Sequence, residues 1–380
     1  MTPLDQDWRD ADRLSRQGRW EEAGARWWAL AQRCRAEDLT ARGQDAASRA
    51  ADAFRRDDRP AAAVDALRLA WALGQRSARD LVELSAVLLD AGQAVAAEVA
   101  ARSAAELAKG PAEGALVLDA LFNVLLARGL VAEAAALHAR SPRAEDPEQV
   151  LAHRFQAARL ARLDGLLHAA EASHAAVAER LTPYPAAAAG LAVVYDAQAE
   201  VALTRAALAR IAGRDPERWL LRAEALLDEG ATAWQRARRR AGRHGNEVWR
   251  AAHAWLAEGD EALGPIDQAL SYAAERGLPT ATAEWAGVRA GITGDPVDLS
   301  RALAAATECP PARGRARLQW MERVSSDAEG VETQLDLAWL ELADDKPATV
   351  RLLLIQGQRS GDPTLLGAAR HQAAAILDAV

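Results

Sequence analysis

Apolar positions in this chain recur at spacings of three and four, the period of a helix that buries one stripe of its surface. In the first stretch Ala11 and Leu14 mark one stripe, Gly18 interrupts it, and Trp20, Ala23, Trp27 and Leu30 mark the next. The same slots return as Ala51, Phe54, Asp58, Pro60, Ala63, Leu67 and Ala70, then as Ser85, Leu88, Gly92, Ala94, Ala97, Ala101 and Ala104. Further turns are expected at Gly129 with Ala134, Gly165 with Ala170, Gly230 behind Ala223 and Leu226, Gly259, Gly294 with Leu299, and Asp345 with Val350. A unit of about 34 to 40 residues therefore repeats, and about nine or ten antiparallel helix pairs are visible. Small residues fall where two helices must cross closely.

Proline placement supports the same reading. Proline lacks an amide donor and fixes its own φ, so a helix tolerates it only in the first turn. Asp58-Arg-Pro60, Asp215-Pro216, Asp295-Pro296, Asp344-Asp-Lys-Pro347 and Asp362-Pro363 each place a capping carboxylate ahead of a proline. Ala and Leu dominate, and no convincing period-two run of Val, Ile and Thr suggests strands. The expected fold class is all α.

This grammar of a large residue, a small one, another large one, Gly, a second Ala, an aromatic and a closing Pro resembles the tetratricopeptide repeat family. The match is closest over residues 4–111, loosens over 112–311, and includes Trp219 ahead of Ala223 and Pro311 closing the Gly294 unit. Departures are Asp58 and Asp345 in glycine slots, and His138 and His174 in aromatic ones. The resemblance implies one right-handed superhelical α-solenoid over residues 1–380. Its expected irregularity is an insertion at 312–330, followed by a last repeat and a C-terminal capping helix within 331–380, Pro363 to Val380 being that helix. In a solenoid each repeat contacts its neighbours, so length adds units without enlarging a core.

Composition bounds the setting. The opening residues carry neither a basic start nor an apolar run, so no signal peptide is expected. The longest apolar stretch, Pro185 to Tyr195, ends at Asp196 and is too short for a bilayer, so no membrane insertion and a cytoplasmic location are expected. Cys34 and Cys309 belong to no metal or redox spacing. Only two lysines occur, Lys109 and Lys346, against abundant Arg and Ala, a bias that follows GC-rich codons and points to a high-GC bacterium. With a net charge of -8, nucleic acid is not the expected partner, because phosphate neutralisation needs a basic surface.

Two groups of charged residues invite a functional reading. Arg9, Asp12 and Arg16 on one helix and Arg49, Asp52 and Arg56 on another share a register relative to Ala11 and Ala51. The resemblance places these rows side by side in a concave groove, with Arg79 and Glu83 beside them, where Arg forks favour carboxylates on a partner. Against this, Asp12 with Arg16 and Asp52 with Arg56 have the spacing of ordinary helical ion pairs. Arg236, Arg239, Arg240 and Arg243 form a basic patch with Arg238 and His244. It fits either the negative end of a helix with a solvated face, or a contact with an acidic partner or nucleic acid.

Catalytic signals are weak. His168, Glu171 and His174 lie at three-residue steps, yet carboxylate di-metal sites need a second such motif and further Glu residues, and none is evident. No phosphate loop, zinc-protease helix or nucleophile elbow occurs, so no catalytic residue, metal or cofactor is expected. Family members that clamp a C-terminal carboxylate use Lys and Asn, whereas the first 108 residues here hold no Lys and the asparagines are Asn123 and Asn246. The favoured function is a non-catalytic scaffold or adaptor that holds a protein or peptide, an acidic one if the Arg rows are used. The alternative is a ligand- or peptide-sensing regulator of the bacterial helical-repeat type.

Overall fold

The structure is a computed structural model that describes residues 2–74, 77–141, 147–258, 263–325, 328 and 330–379. Among the described residues it is all α: twenty α-helices, one short 3-10 turn at Pro185–Ala187, and no strand. In chain order the helices are α1 (Pro3–Arg16), α2 (Trp20–Ala36), α3 (Thr40–Arg56), α4 (Pro60–Leu73), α5 (Ala78–Asp90), α6 (Ala94–Leu107), α7 (Gly110–Ala127), α8 (Val131–Arg140), α9 (Pro147–Leu163) and α10 (Leu167–Leu181). They continue with α11 (Ala188–Ile211), α12 (Glu217–Ala237), α13 (Arg240–Glu258), α14 (Leu263–Arg276), α15 (Pro279–Thr293), α16 (Pro296–Ala305), α17 (Pro310–Arg323), α18 (Val331–Glu341), α19 (Lys346–Ser360) and α20 (Pro363–Asp378). Helices adjacent in sequence pack together in pairs, the arrangement that the tetratricopeptide-like grammar implies.

The turns form where the sequence places them. Gly18, Gly92, Gly129, Gly165 and Gly294 all adopt left-handed φ between 71° and 78°. Asp58 takes the same turn at φ 56°, because a short polar side chain tolerates that region better than most. It therefore turns the chain and does not cap α4, whose N-cap is Arg59. The carboxylates of Asp295, Asp345 and Asp362 do cap, accepting from Val297, Ala348 and Thr364 N–H groups. Gly230 is a correction: it lies inside α12, with a hypothetical Cβ only 2.9 Å from Asn246 and Asp196, so its small size serves close helix approach instead of a turn. Gly259 lies outside the described residues.

Contacts divide the chain into two compact units. Unit 1 comprises Met1–Val124 and Ala274–Thr280, and unit 2 comprises Leu125–Ala273 and Ala281–Val380. In unit 1, Trp27 is 1 % exposed, meets Trp8 edge-on at 5.0 Å, and donates its Nε1–H to Ser15 Oγ at 3.0 Å. The segment from Ala274 joins this unit because Arg276 donates to Asp57 at 2.6 Å and Thr280 to the Leu89 carbonyl at 2.9 Å.

Unit 2 departs from neighbour-only packing. Helices α19 and α20 lie against α11, and α19 also touches α9. Arg162 on α9 meets Asp345 at 3.1 Å, Lys346 meets Asp164 at 3.3 Å, and Arg214 holds Asp378 through two bonds of 2.6 and 2.7 Å. The Ile376 side chain lies against Gly165, 3.2 Å from where a Cβ would stand. The C-terminal helix is thus a packed member of unit 2. The expected insertion at 312–330 is regular helix through Arg323, since Pro310 opens α17 and the packed stripe Ala316, Leu318, Trp320 and Met321 sustains it.

Among the described residues two helices, Gly110–Ala127 and Pro185–Ile211, are long and apolar enough to cross a membrane by length and composition. The second carries the apolar stretch Pro185 to Tyr195 and continues past Asp196 through Glu200 and Arg205. In the second helix half of that window is packed inside the fold, which is the position of a core helix.

Candidate functional site

In unit 1 the paired rows of charge come together across α1 and α3. Arg49 donates to Asp45 at 3.0 Å and reaches Asp12 on α1 at 3.7 Å. Its guanidinium also lies 5.8 Å from the ring centre of Trp8 and 5.0 Å from that of Trp27. Asp12 in turn holds Arg16 at 2.5 Å. Arg56 bonds Asp52 at 2.9 Å and stands 4.7 Å from the Trp20 ring. Glu83 on α5 is reached by Arg55 at 3.3 Å, not by the Arg rows. Arg9 and Arg79 are exposed and form no ion pair among the described residues.

This face is therefore a mixed one. Its cations are half-satisfied by neighbouring carboxylates and seated on indole rings, an arrangement that fixes the Arg forks while leaving donor edges in water. Sequence reasoning found the rows but not the tryptophans beneath them.

The basic patch does not sit on one helix end. Arg236 closes α12, Arg238 caps it in a left-handed conformation at φ 54°, and Arg240 and Arg243 open α13. Cations are favourable at the first of these places and unfavourable at the last. The expected interaction with a helix C-terminus therefore holds for Arg236 alone. Arg239 is half-buried, whereas Arg236, Arg240 and Arg243 are exposed.

His168, Glu171 and His174 do not converge. His168 points to solvent, and Glu171 takes the buried Arg205 at 2.6 Å. His174 is 1 % exposed beside Phe155, with neither ring nitrogen hydrogen-bonded. Burial pulls its pKa down to about 4, so the ring is neutral at pH 7. It fills the aromatic slot of its repeat. Cys34 and Cys309 both have thiols pushed up by burial, which makes them poor nucleophiles.

Sequence reasoning missed a second constellation, inside unit 2. Here polar groups on α9, α11, α13, α15, α17 and α19 pair across helices. Arg162 bridges Asp345 and Glu200, the latter at 3.5 Å. Arg351 on α19 holds Glu322 on α17 at 2.6 Å. Trp249 on α13 donates its indole N–H to Glu284 on α15 at 2.8 Å. Glu284 is solvent-exposed, yet burial by the protein around it raises its pKa, while Arg315 pulls the other way and the Glu200 and Asp196 charges add to the rise. Asp196 accepts from Trp234 at 2.7 Å and Asn246 at 2.9 Å, and burial lifts its pKa to about 6. Only the closure of α19 onto α9 makes neighbours of Arg162 and Asp345.

No family model matches the chain, and no curated protein matches it by sequence. Solved structures do match. One is the crystal structure of the P58(IPK) TPR domain, at 13% identity over 99% of this chain and 98% of that one, with a TM-score of 0.27.

Proposed function

We propose that the chain is a non-catalytic interaction scaffold, cytoplasmic in location, that holds a protein or peptide against the α1 and α3 face of unit 1. The observation carrying this reading is Arg49, which spans from α3 to Asp12 on α1 while resting on Trp8 and Trp27. Rigid helices with preset Arg forks over aromatic surface suit a partner that presents carboxylates beside apolar side chains. Exposed Arg9, Arg16, Arg56 and Arg79 extend that surface along the first helices of successive pairs. The basic turn at Arg236 to Arg243 is a secondary surface for an acidic partner.

Affinity capture from the native cytosol tests the reading, comparing wild type with Arg49→Glu/Arg56→Glu of unchanged helicity. A protein that binds wild type and is lost from the variant supports the scaffold and its face together. A partner retained by both places the contact elsewhere.

A further inference from the structure

Helices α11, α12 and α20 enclose a cavity of about 250 Å³ in unit 2, lined by Ala209, Arg214, Asp215, Arg218, Trp219 and Leu377. Two of its three charged groups are committed. Arg214 holds Asp378 through bonds of 2.6 and 2.7 Å, and Asp215 accepts from the Glu217 N–H at 2.9 Å, where α12 starts. Arg218 is exposed and has no ion pair among the described residues. Its guanidinium lies 4.3 Å from the centre of the Trp219 ring, a contact that holds the fork at the cavity wall.

The same indole carries a second cation. Arg205 is 2 % exposed and lies 4.4 Å from the Trp219 ring centre. It gives one bond of 2.6 Å to Glu171, while its buried Nη2 has no hydrogen-bond partner among the described residues. Glu171 is also within 3.8 Å of Arg222. Among the described residues, Arg205, Arg218 and Arg222 therefore have one carboxylate between them within ion-pair distance. An uncommitted Arg fork beside an indole, an Ala and a Leu suits a molecule that is anionic at one end and apolar along the rest.

We propose that this cavity binds a small organic monocarboxylate with an apolar body, its carboxylate on Arg218 and its body against Ala209, Leu377 and the Trp219 indole. An Arg fork takes a carboxylate through two parallel bonds. At about 30 Å³ per water-sized group the cavity holds about eight such groups, the size of hexanoate or benzoate. Asp215 in the lining disfavours a second negative charge, so a monoanion fits better than a dicarboxylate or a phosphate. An uncharged alcohol of the same shape leaves Arg218 unpaired, and acetate leaves the apolar lining uncovered. This inference goes beyond the scaffold reading, and every residue it uses belongs to unit 2.

The experiment is isothermal titration of the full chain with benzoate, phenylacetate and hexanoate, each at up to about 10 mM. At least one is expected to bind at one site per chain, with its matching alcohol, acetate and inorganic phosphate each about tenfold weaker or worse. Arg218→Gln alters an exposed side chain and is expected to weaken the acid about tenfold or more at an unchanged helical spectrum. Arg180→Gln removes another exposed Arg of unit 2, outside the cavity, and is expected to leave the affinity as it was. The Trp219 indole N–H resonance, assigned with Trp219→Phe, is expected to move on binding. The proposal is overturned if none of the three acids binds, if the affinity survives Arg218→Gln or falls equally in Arg180→Gln, if the alcohol or phosphate binds as well, or if the Trp219 resonance stays in place.

Discussion

Arg162 and Asp345, 183 positions apart in the chain, meet at 3.1 Å with both side chains largely buried. Asp345 also caps α19 by accepting from the Ala348 N–H at 3.1 Å. One carboxylate thus starts a helix and ties the C-terminal part of unit 2 to α9. Replacing Asp345 by Ala removes both roles and is expected to cost about 3–5 kcal/mol, because Arg162 is left buried without its nearer partner. Asp345→Asn keeps a good capping side chain and loses the charge. Urea unfolding of the two variants should therefore place Asn between Ala and wild type, and equal losses would assign the whole effect to the charge pair with Arg162.

Trp27 carries the first helix pairs of unit 1. Truncation to Ala is expected to cost about 3–5 kcal/mol, through a large cavity, the lost Trp8 contact and the lost bond to Ser15. A shift of the urea midpoint at unchanged slope would report it. A loss below about 1 kcal/mol would mean that the surrounding helices collapse into the space.

Two glycines in helix interiors separate packing from propensity. A Cβ on Gly24 would stand 2.7 Å from the Phe54 ring, whereas one on Gly367 meets nothing within 4 Å. Alanine gains about 0.5–1 kcal/mol of helix stability over glycine in either place. Gly367→Ala is expected to show that gain as a raised unfolding midpoint. Gly24→Ala is expected to show a net loss, since overpacking costs about 1–3 kcal/mol.

The pH dependence of stability contains two opposing contributions. Burial raises Asp196 to about 6, so between the ordinary carboxylate range and that value the folded chain binds more protons than the unfolded one. Stability from this group is complete at the acid end and falls as pH rises toward 6. Burial lowers His174 to about 4, so its contribution is complete above 6.5 and is lost as pH falls toward 4. Asp196→Asn should therefore gain on wild type by about 1–2 kcal/mol between pH of about 4.5 and 7.5. His174→Leu should gain on wild type in the opposite direction, as the pH is lowered over the same range. Parallel stability curves for wild type and either variant would show that the group titrates normally.

Much of the fold was legible because it rests on local rules. The three-and-four spacing placed the helices, left-handed glycines placed the turns at Gly18, Gly92, Gly129, Gly165 and Gly294, and capped prolines marked helix starts. The Arg rows of α1 and α3 were legible for the same reason, since register along a helix decides which side chains share a face. Gly230 was misread because a glycine that lets two helices approach looks, in sequence, like one that turns the chain.

The sequence by itself thus determined the helical class, the pairing of neighbouring helices and the residues facing each neighbour, all of which depend on contacts close along the chain. Tertiary structure alone decided that α19 and α20 return to α9 and α11, and that Arg162 finds Asp345. The physical reason is separation. Periodicity records which face of a helix is buried but carries no information on which distant helix covers it, and that choice depends on how small angles between successive helix pairs accumulate.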